Sequence, residues 1–129
     1  MRDAPRTAPR LVVRVELGHG SIMGPGKADL LECIDHCGSI SAAAREMGMS
    51  YRQAWMLIDT LHQAFGRPVI ETNSGGRAGG GARLTSLGKR LLAGYRTLQA
   101  KAEKSTRHDL EAMVRLMAPL GERATRPRR

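Results

Sequence analysis

The chain has 129 residues, enough for one domain with short tails, and its composition of 41% hydrophobic and 26% charged residues is that of a folded protein. Twenty-one Lys and Arg against twelve Asp and Glu give a net charge of +9, which favours a polyanionic partner. Seven of those arginines (Arg2, Arg6, Arg10, Arg123, Arg126, Arg128 and Arg129) lie near the termini, no run approaches the ~20 apolar residues of a membrane-spanning helix, and the polar, proline-broken N-terminus lacks a signal-peptide core.

The expectation is a soluble cytoplasmic protein with no membrane partner, and its elements can be taken in chain order. Residues 1–10 read as a disordered arm. Leu11 to Leu17 is Val-rich and reads as a strand, followed by a glycine loop over 18–26. From Ala28 a helix places Leu30, Leu31, Ile34 and Cys37 on one face and stops at Gly38. A short second helix follows, with Ser41 as the expected N-cap and Gly48 as its stop. The third runs from Tyr51 to Phe65 behind Ser50, with Ala54, Leu57, Ile58, Leu61 and Phe65 on one stripe. Arg52, Met56, Asp59 and Gln63 fall opposite, with Trp55 on the flank.

Two extended pieces, from Val69 to Thr72 and from Ala82 to Thr85, flank a glycine-rich tip and predict a β-hairpin. A fourth helix then starts at Thr85 or Ser86, carrying Leu87, Leu91, Tyr95, Leu98 and Ala102 on one side. A shorter apolar pattern through Leu110, Met113, Val114 and Met117 follows out of phase, as a separate helix or a bent continuation, before a basic tail. The organisation is thus an arm over 1–10, a main unit over 11–104 and a helix with tail over 105–129. The fold class is mainly α with a small β-hairpin wing: a winged helix-turn-helix with a long C-terminal helix.

A helix-turn-helix sets one helix across the phosphate backbone and lays the next in the major groove. Ser41, Ser50 and Tyr51 offer hydroxyls for phosphate. Arg52 and Gln53 carry the groups that grip guanine and adenine through paired hydrogen bonds. Arg77 at the wing tip and Arg83 on its exit strand suit phosphate contact, and no acidic residue occurs from Asn73 to Arg90. Trp55 is a further contact candidate, although partial burial is the simpler reading for it. The Leu87, Leu91, Tyr95 and Leu98 stripe must cover its own domain and any partner, which makes it the expected dimer interface.

Cys33, His36 and Cys37 share one helix at spacings that could serve a metal. Structural zinc sites usually draw ligands from two segments, however, and helical cysteines beside an apolar stripe are mostly small core residues. No metal and no cofactor is expected. The glycine run lacks the lysine and hydroxyl residue of a phosphate-binding loop, and the four histidines are scattered, so no enzyme is expected. The rivals to a specific regulator are a metal- or redox-responsive one using Cys33 and Cys37, and a nonspecific nucleoid protein. With one Phe, one Trp and two Tyr, the chain lacks the stacking aromatics of sheet-based RNA binders.

The runs GSISAAAREMGMSYRQAW and ETNSGGRAGGGARLTSLGKRLL resemble the DNA-binding domain of the ModE family of molybdate-responsive regulators and, more distantly, the LysR-type winged domains. The resemblance spans roughly residues 11–104. It implies a homodimer, first and last helices packed across a two-fold axis, that reads a near-palindromic site of double-stranded DNA. It places Ser50, Tyr51 and Arg52 on the recognition helix, with Arg77 and glycines 75, 76, 79, 80 and 81 in the wing. Molybdate-sensing members carry a β-rich oxyanion module after this domain. Here only about 25 residues follow the matched region, and they read as helix and tail, so molybdate binding is not expected of this chain.

Overall fold

The computed structural model describes residues 8–73 and 80–122. Arg77, glycines 75, 76 and 79, most of the expected N-terminal arm and the tail beyond Glu122 therefore lie outside the described residues. Among the described residues no helix is long and apolar enough to cross a membrane.

The first strand is shorter than expected and has a partner. Strand β1 (Val15–Gly18) pairs antiparallel with β2 (Ser21–Met23), which occupies part of the expected loop. Gly18, His19 and Gly20 all adopt positive φ, and this left-handed run reverses the chain within three residues. Residues 11–14 stay extended but unpaired, tied down instead where the Tyr95 hydroxyl donates to the Val13 carbonyl at 2.6 Å. Helix α1 (Pro25–Cys37) starts three residues before the expected Ala28, because Pro25, with its φ already helical, fits the first turn.

The N-cap of α2 (Ile40–Met47) is Ser39, whose Oγ accepts from the Ala42 amide at 3.1 Å, and not Ser41. The reason is packing. Ile40 is buried, so the helix must already be turning there, and Ser41 becomes an exposed residue of the first turn. Helix α3 (Tyr51–Phe65) matches its expected bounds. Ser50 and Gln53 form a complete capping box, each side chain bonded to the other's backbone amide at 3.0 Å.

Strands β3 (Ile70–Asn73) and β4 (Gly81–Leu84) form the hairpin, in register from Ile70 opposite Leu84 to Asn73 opposite Gly81. The Ala82 amide donates to the Gly38 carbonyl at 2.9 Å, fastening the hairpin to the turn between α1 and α2. Helix α4 (Ser86–Ser105) is capped by Thr85, whose hydroxyl accepts from the Gly88 amide and donates to the Pro68 carbonyl. A β-carbon at Gly88 would overlap the Val69 carbonyl oxygen, so glycine sets how closely α4 approaches the hairpin. A separate helix α5 (Arg107–Arg115) follows, then a single 3-10 turn at Leu120–Glu122.

The core lies between α1, α2, α3 and the hairpin. Leu30, Leu31, Ile34, Ile58 and Val69 are fully enclosed, and small Ala28, Ala43, Ala44 and Ala54 let the helices close on one another. Helix α4 joins this core through Leu87, Leu91, Leu92 and Tyr95. Its polar clasp is Arg96, which reaches Asp29 at 2.8 Å and Glu32 at 2.7 Å on α1. Burial works against the Arg96 charge, but the hydrogen bonds from Asp29 and Glu32 outweigh it and hold its pKa above the ordinary arginine value.

Candidate nucleic-acid interface

The capping box orients the start of α3. With Ala54, Ile58 and Leu61 turned into the core, Tyr51, Arg52, Met56, Asp59, Thr60 and Gln63 are left on the outside. Arg52 is exposed and forms no ion pair among the described residues. Tyr51 is 54% exposed and stands edge-to-face against Trp55, with ring centroids 6.4 Å apart and planes at 76°. Trp55 is half-buried against the core, as its flank position suggested, and one edge of it stays accessible.

These aromatics form one wall of a cleft of about 260 Å³. Ser39 and Ser41 from the first turn of α2 form another, and Thr72, Asn73, Gly80 and Gly81 from the base of the wing close it. Three elements thus present hydroxyl, amide and glycine backbone groups around one concave surface. Ser41, Tyr51 and Trp55 are brought together there. Thr72 is an addition that sequence reasoning missed. It and Asn73 reach the cleft because β4 is bonded to Gly38, a contact between segments over forty residues apart.

Two expected roles change in detail. The Gln53 carbonyl oxygen already accepts from the Ser50 amide, so a two-point grip on adenine would have to share that oxygen with the cap of its own helix. Gln53 and the Ser50 acceptor serve the fold first. Arg83 has no acidic neighbour along the sequence from Asn73 onward, yet it meets Glu71 directly across the hairpin at 2.6 Å. Both side chains are well exposed, 77% and 49%, so this pair is weak and its guanidinium stays exchangeable.

Leu87 and Leu91 are half-buried, Tyr95 is buried and Leu98 is 41% exposed, so the α4 stripe divides between the core and solvent. Cys33 is buried on α1 and Cys37 half-buried one turn later, with the Cys37 thiol donating to Glu46 of α2 at 3.4 Å. His36 is exposed, on the rim of a cleft it shares with Asp29, Glu32, Cys33 and Glu46.

Comparison with known proteins agrees with this geometry. Residues 27–89, from the third residue of α1 to the first turn of α4, match the family of bacterial regulatory helix-turn-helix proteins of the lysR type. The molybdenum-pterin-binding protein MopB of Rhodobacter capsulatus is 44% identical over 85 residues, covering 66% of this chain and 32% of that protein. The molybdenum transport protein ModE of Azotobacter vinelandii is 35% identical over 124 residues, covering 86% of this chain and 46% of that protein. The DNA-binding transcriptional dual regulator ModE of Escherichia coli K12 is 34% identical over 95 residues, covering 74% and 36%. The chain therefore spans about a third to a half of the length of these relatives. Its fold is that of the DNA-binding domain of CbnR solved with DNA, with a TM-score of 0.53 at 19% identity over 68% of this chain and 95% of that one. Residues 27–89 fold as a winged helix-turn-helix and match the lysR-type helix-turn-helix family, in a chain whose sequence is similar to the ModE regulators.

Proposed function

We propose that this chain is a DNA-binding transcriptional regulator of the ModE type, and that two copies bind one near-palindromic site. The observation that carries the reading is the outer face of α3: Arg52 is exposed on the capped first turn, next to Tyr51, which lines the cleft between the start of α2 and the base of the wing. A helix so mounted fits a major groove, with Arg52 on a guanine edge and the Ser41 and Tyr51 hydroxyls on flanking phosphates. Arg83 exchanges Glu71 for phosphate when DNA arrives, a sequence-independent and salt-sensitive contribution. The chain spans only about a third to a half of the relatives named for molybdenum, so the proposal concerns DNA and does not extend to molybdate.

The dimer reading rests on α4, α5 and the two residues after it, where Leu98, Met113, Leu116 and Met117 are exposed. Leu98 borders a second apolar cleft with Val15, Leu17 and Leu91.

Selection of bound sites from random duplex DNA tests the whole reading. Two inverted half-sites about one helical turn apart are expected. Arg52→Ala should bind the selected site about 10- to 100-fold more weakly, by ~1–3 kcal/mol, and lose its preference at one guanine per half-site. Equal binding to every sequence by the native chain would identify a nonspecific nucleoid protein instead.

A further inference from the structure

We propose that Cys33, Cys37 and Glu46 form a binding site for one thiophilic divalent cation of the Zn²⁺ class. The two thiols lie one turn apart on α1, and the carboxylate comes from the last turn of α2. Their donor atoms, both sulfurs and a Glu46 carboxylate oxygen, all lie within 4.8 Å of one another. Tetrahedral zinc with bonds of ~2.3 Å to sulfur and ~2.1 Å to oxygen spaces neighbouring ligands at about 3.4–3.8 Å. The Cys37 sulfur and the Glu46 oxygen are already 3.4 Å apart, with a thiol proton between them where the cation would sit.

The chemistry fits that class. Two thiolates select soft or borderline cations over magnesium and calcium, which prefer all-oxygen sites. The one-helix arrangement of the cysteines, the objection to a metal here, is removed by the second segment that Glu46 supplies. An entry route is present as well: a cleft of about 220 Å³, lined by Asp29, Glu32, Cys33, His36 and Glu46, opens onto the cluster. Asp29 and Glu32 are held there by Arg96 and are not needed as ligands. Water takes the fourth position, facing that cleft.

Binding displaces two thiol protons and leaves three protein ligands that span the turn from α1 to α2. The cation pins α2, the helix that precedes α3, to α1. The same turn holds the hairpin through Gly38, so the cation braces the frame on which α3 is mounted. None of this depends on what the α3 face binds.

Titration of the untagged, reduced chain with Zn²⁺, and with Co²⁺ as its spectroscopic substitute, is the test. One equivalent is expected to bind, and Co²⁺ should show thiolate-to-metal charge-transfer absorption together with tetrahedral ligand-field bands. Cys37→Ser, at a half-buried position that tolerates the exchange, should weaken Zn²⁺ binding by at least ~100-fold. Glu46→Gln should weaken it about tenfold or more, given that even outer partners of metal ligands are worth 10–100-fold. Zn²⁺ should raise the melting temperature of the native chain and leave that of Cys37→Ser unchanged, with circular dichroism confirming that the variant is folded. Absence of the charge-transfer band, or Zn²⁺ binding by Cys37→Ser and Glu46→Gln as tight as by the native chain, would overturn the site.

Discussion

The two halves of the molecule treat their apolar side chains in opposite ways. From Met23 to Leu84 the large aliphatics turn inward, and the core of α1, α2, α3 and the hairpin closes on itself. Beyond Tyr95 the pattern reverses. Leu98 is 41% exposed, Met113 66%, Leu116 87% and Met117 52%, and α5 contributes no buried residue. Each side chain left in water forgoes a stabilisation of ~1.5–3 kcal/mol that burial would supply. A nine-residue helix with only Leu110 and Val114 half-buried is also too short to be stable alone in water. The half that carries α3 encloses its apolar side chains, while the C-terminal half leaves exposed the apolar surface on which the proposed dimer rests. The division falls within α4, whose first three turns, through Tyr95, belong to the core and whose later turns do not.

The largest expected effect comes from breaking that surface. Leu98→Asp puts a charge on the exposed part of the α4 stripe, beside the cleft it shares with Leu17 and Val15. Because Leu98 lies outside the core, circular dichroism should be unchanged while light scattering reports a monomer. A dimer grips both half-sites through one linked event, so the monomer should bind the full site at least ~100-fold more weakly. An unchanged mass would show that the two halves differ for some reason other than self-association.

Next in size is a break at the seam itself. Gly88→Ala would drive a methyl group into the Val69 carbonyl oxygen, and α4 would have to lift off the hairpin. The expected loss is about 2–3 kcal/mol, or a fall in melting temperature on the order of 10 °C. Gly94, two turns along the same helix, is the control, since a β-carbon there meets nothing within 4 Å. Gly94→Ala should stabilise by about 0.5–1 kcal/mol. Equal melting temperatures for the two variants would mean that α4 is not seated as described.

The same division separates what the sequence made legible from what it hid. Helix α3 was readable end to end because its signals are local: a serine cap and a stripe of period 3.6. The cap of α2 was misplaced by two residues because Ser39 and Ser41 are both good caps, and only the burial of Ile40 decides between them. Strand β2 was read as loop. It is three residues long, and its one buried side chain, Met23, has meaning only against a core assembled elsewhere. In the candidate interface, Ser41, Tyr51, Arg52 and Trp55 could be named from the chain alone. Thr72 could not, nor could Glu46 at the proposed cation site, since their neighbours lie on other elements. Gln53 was read for its base-pairing chemistry alone, and the structure adds that it also closes the cap of its own helix.

Met56 sharpens the contrast at its smallest scale, for among the described residues between Met23 and Leu84 it is the one large aliphatic side chain left exposed. It is 59% exposed on α3, one turn after Arg52, on a face otherwise occupied by Asp59, Thr60 and Gln63. A thioether there contributes nothing to the core, but a major groove offers one apolar group, the thymine methyl. Burying one such group against it is worth ~0.8 kcal/mol, or about two- to fivefold in affinity. If α3 lies in the groove with Arg52 on guanine, Met56 should sit over a thymine a few base pairs away. Replacing the thymines of the selected site one at a time by uracil removes only that methyl, so a single position per half-site should weaken binding two- to fivefold. Met56→Ala should show the same loss on the unmodified site and no further loss at that uracil, because the two changes delete one contact. Additive losses would place Met56 away from the base edges and would require α3 to enter the groove at a different angle, while leaving Arg52 as the anchor.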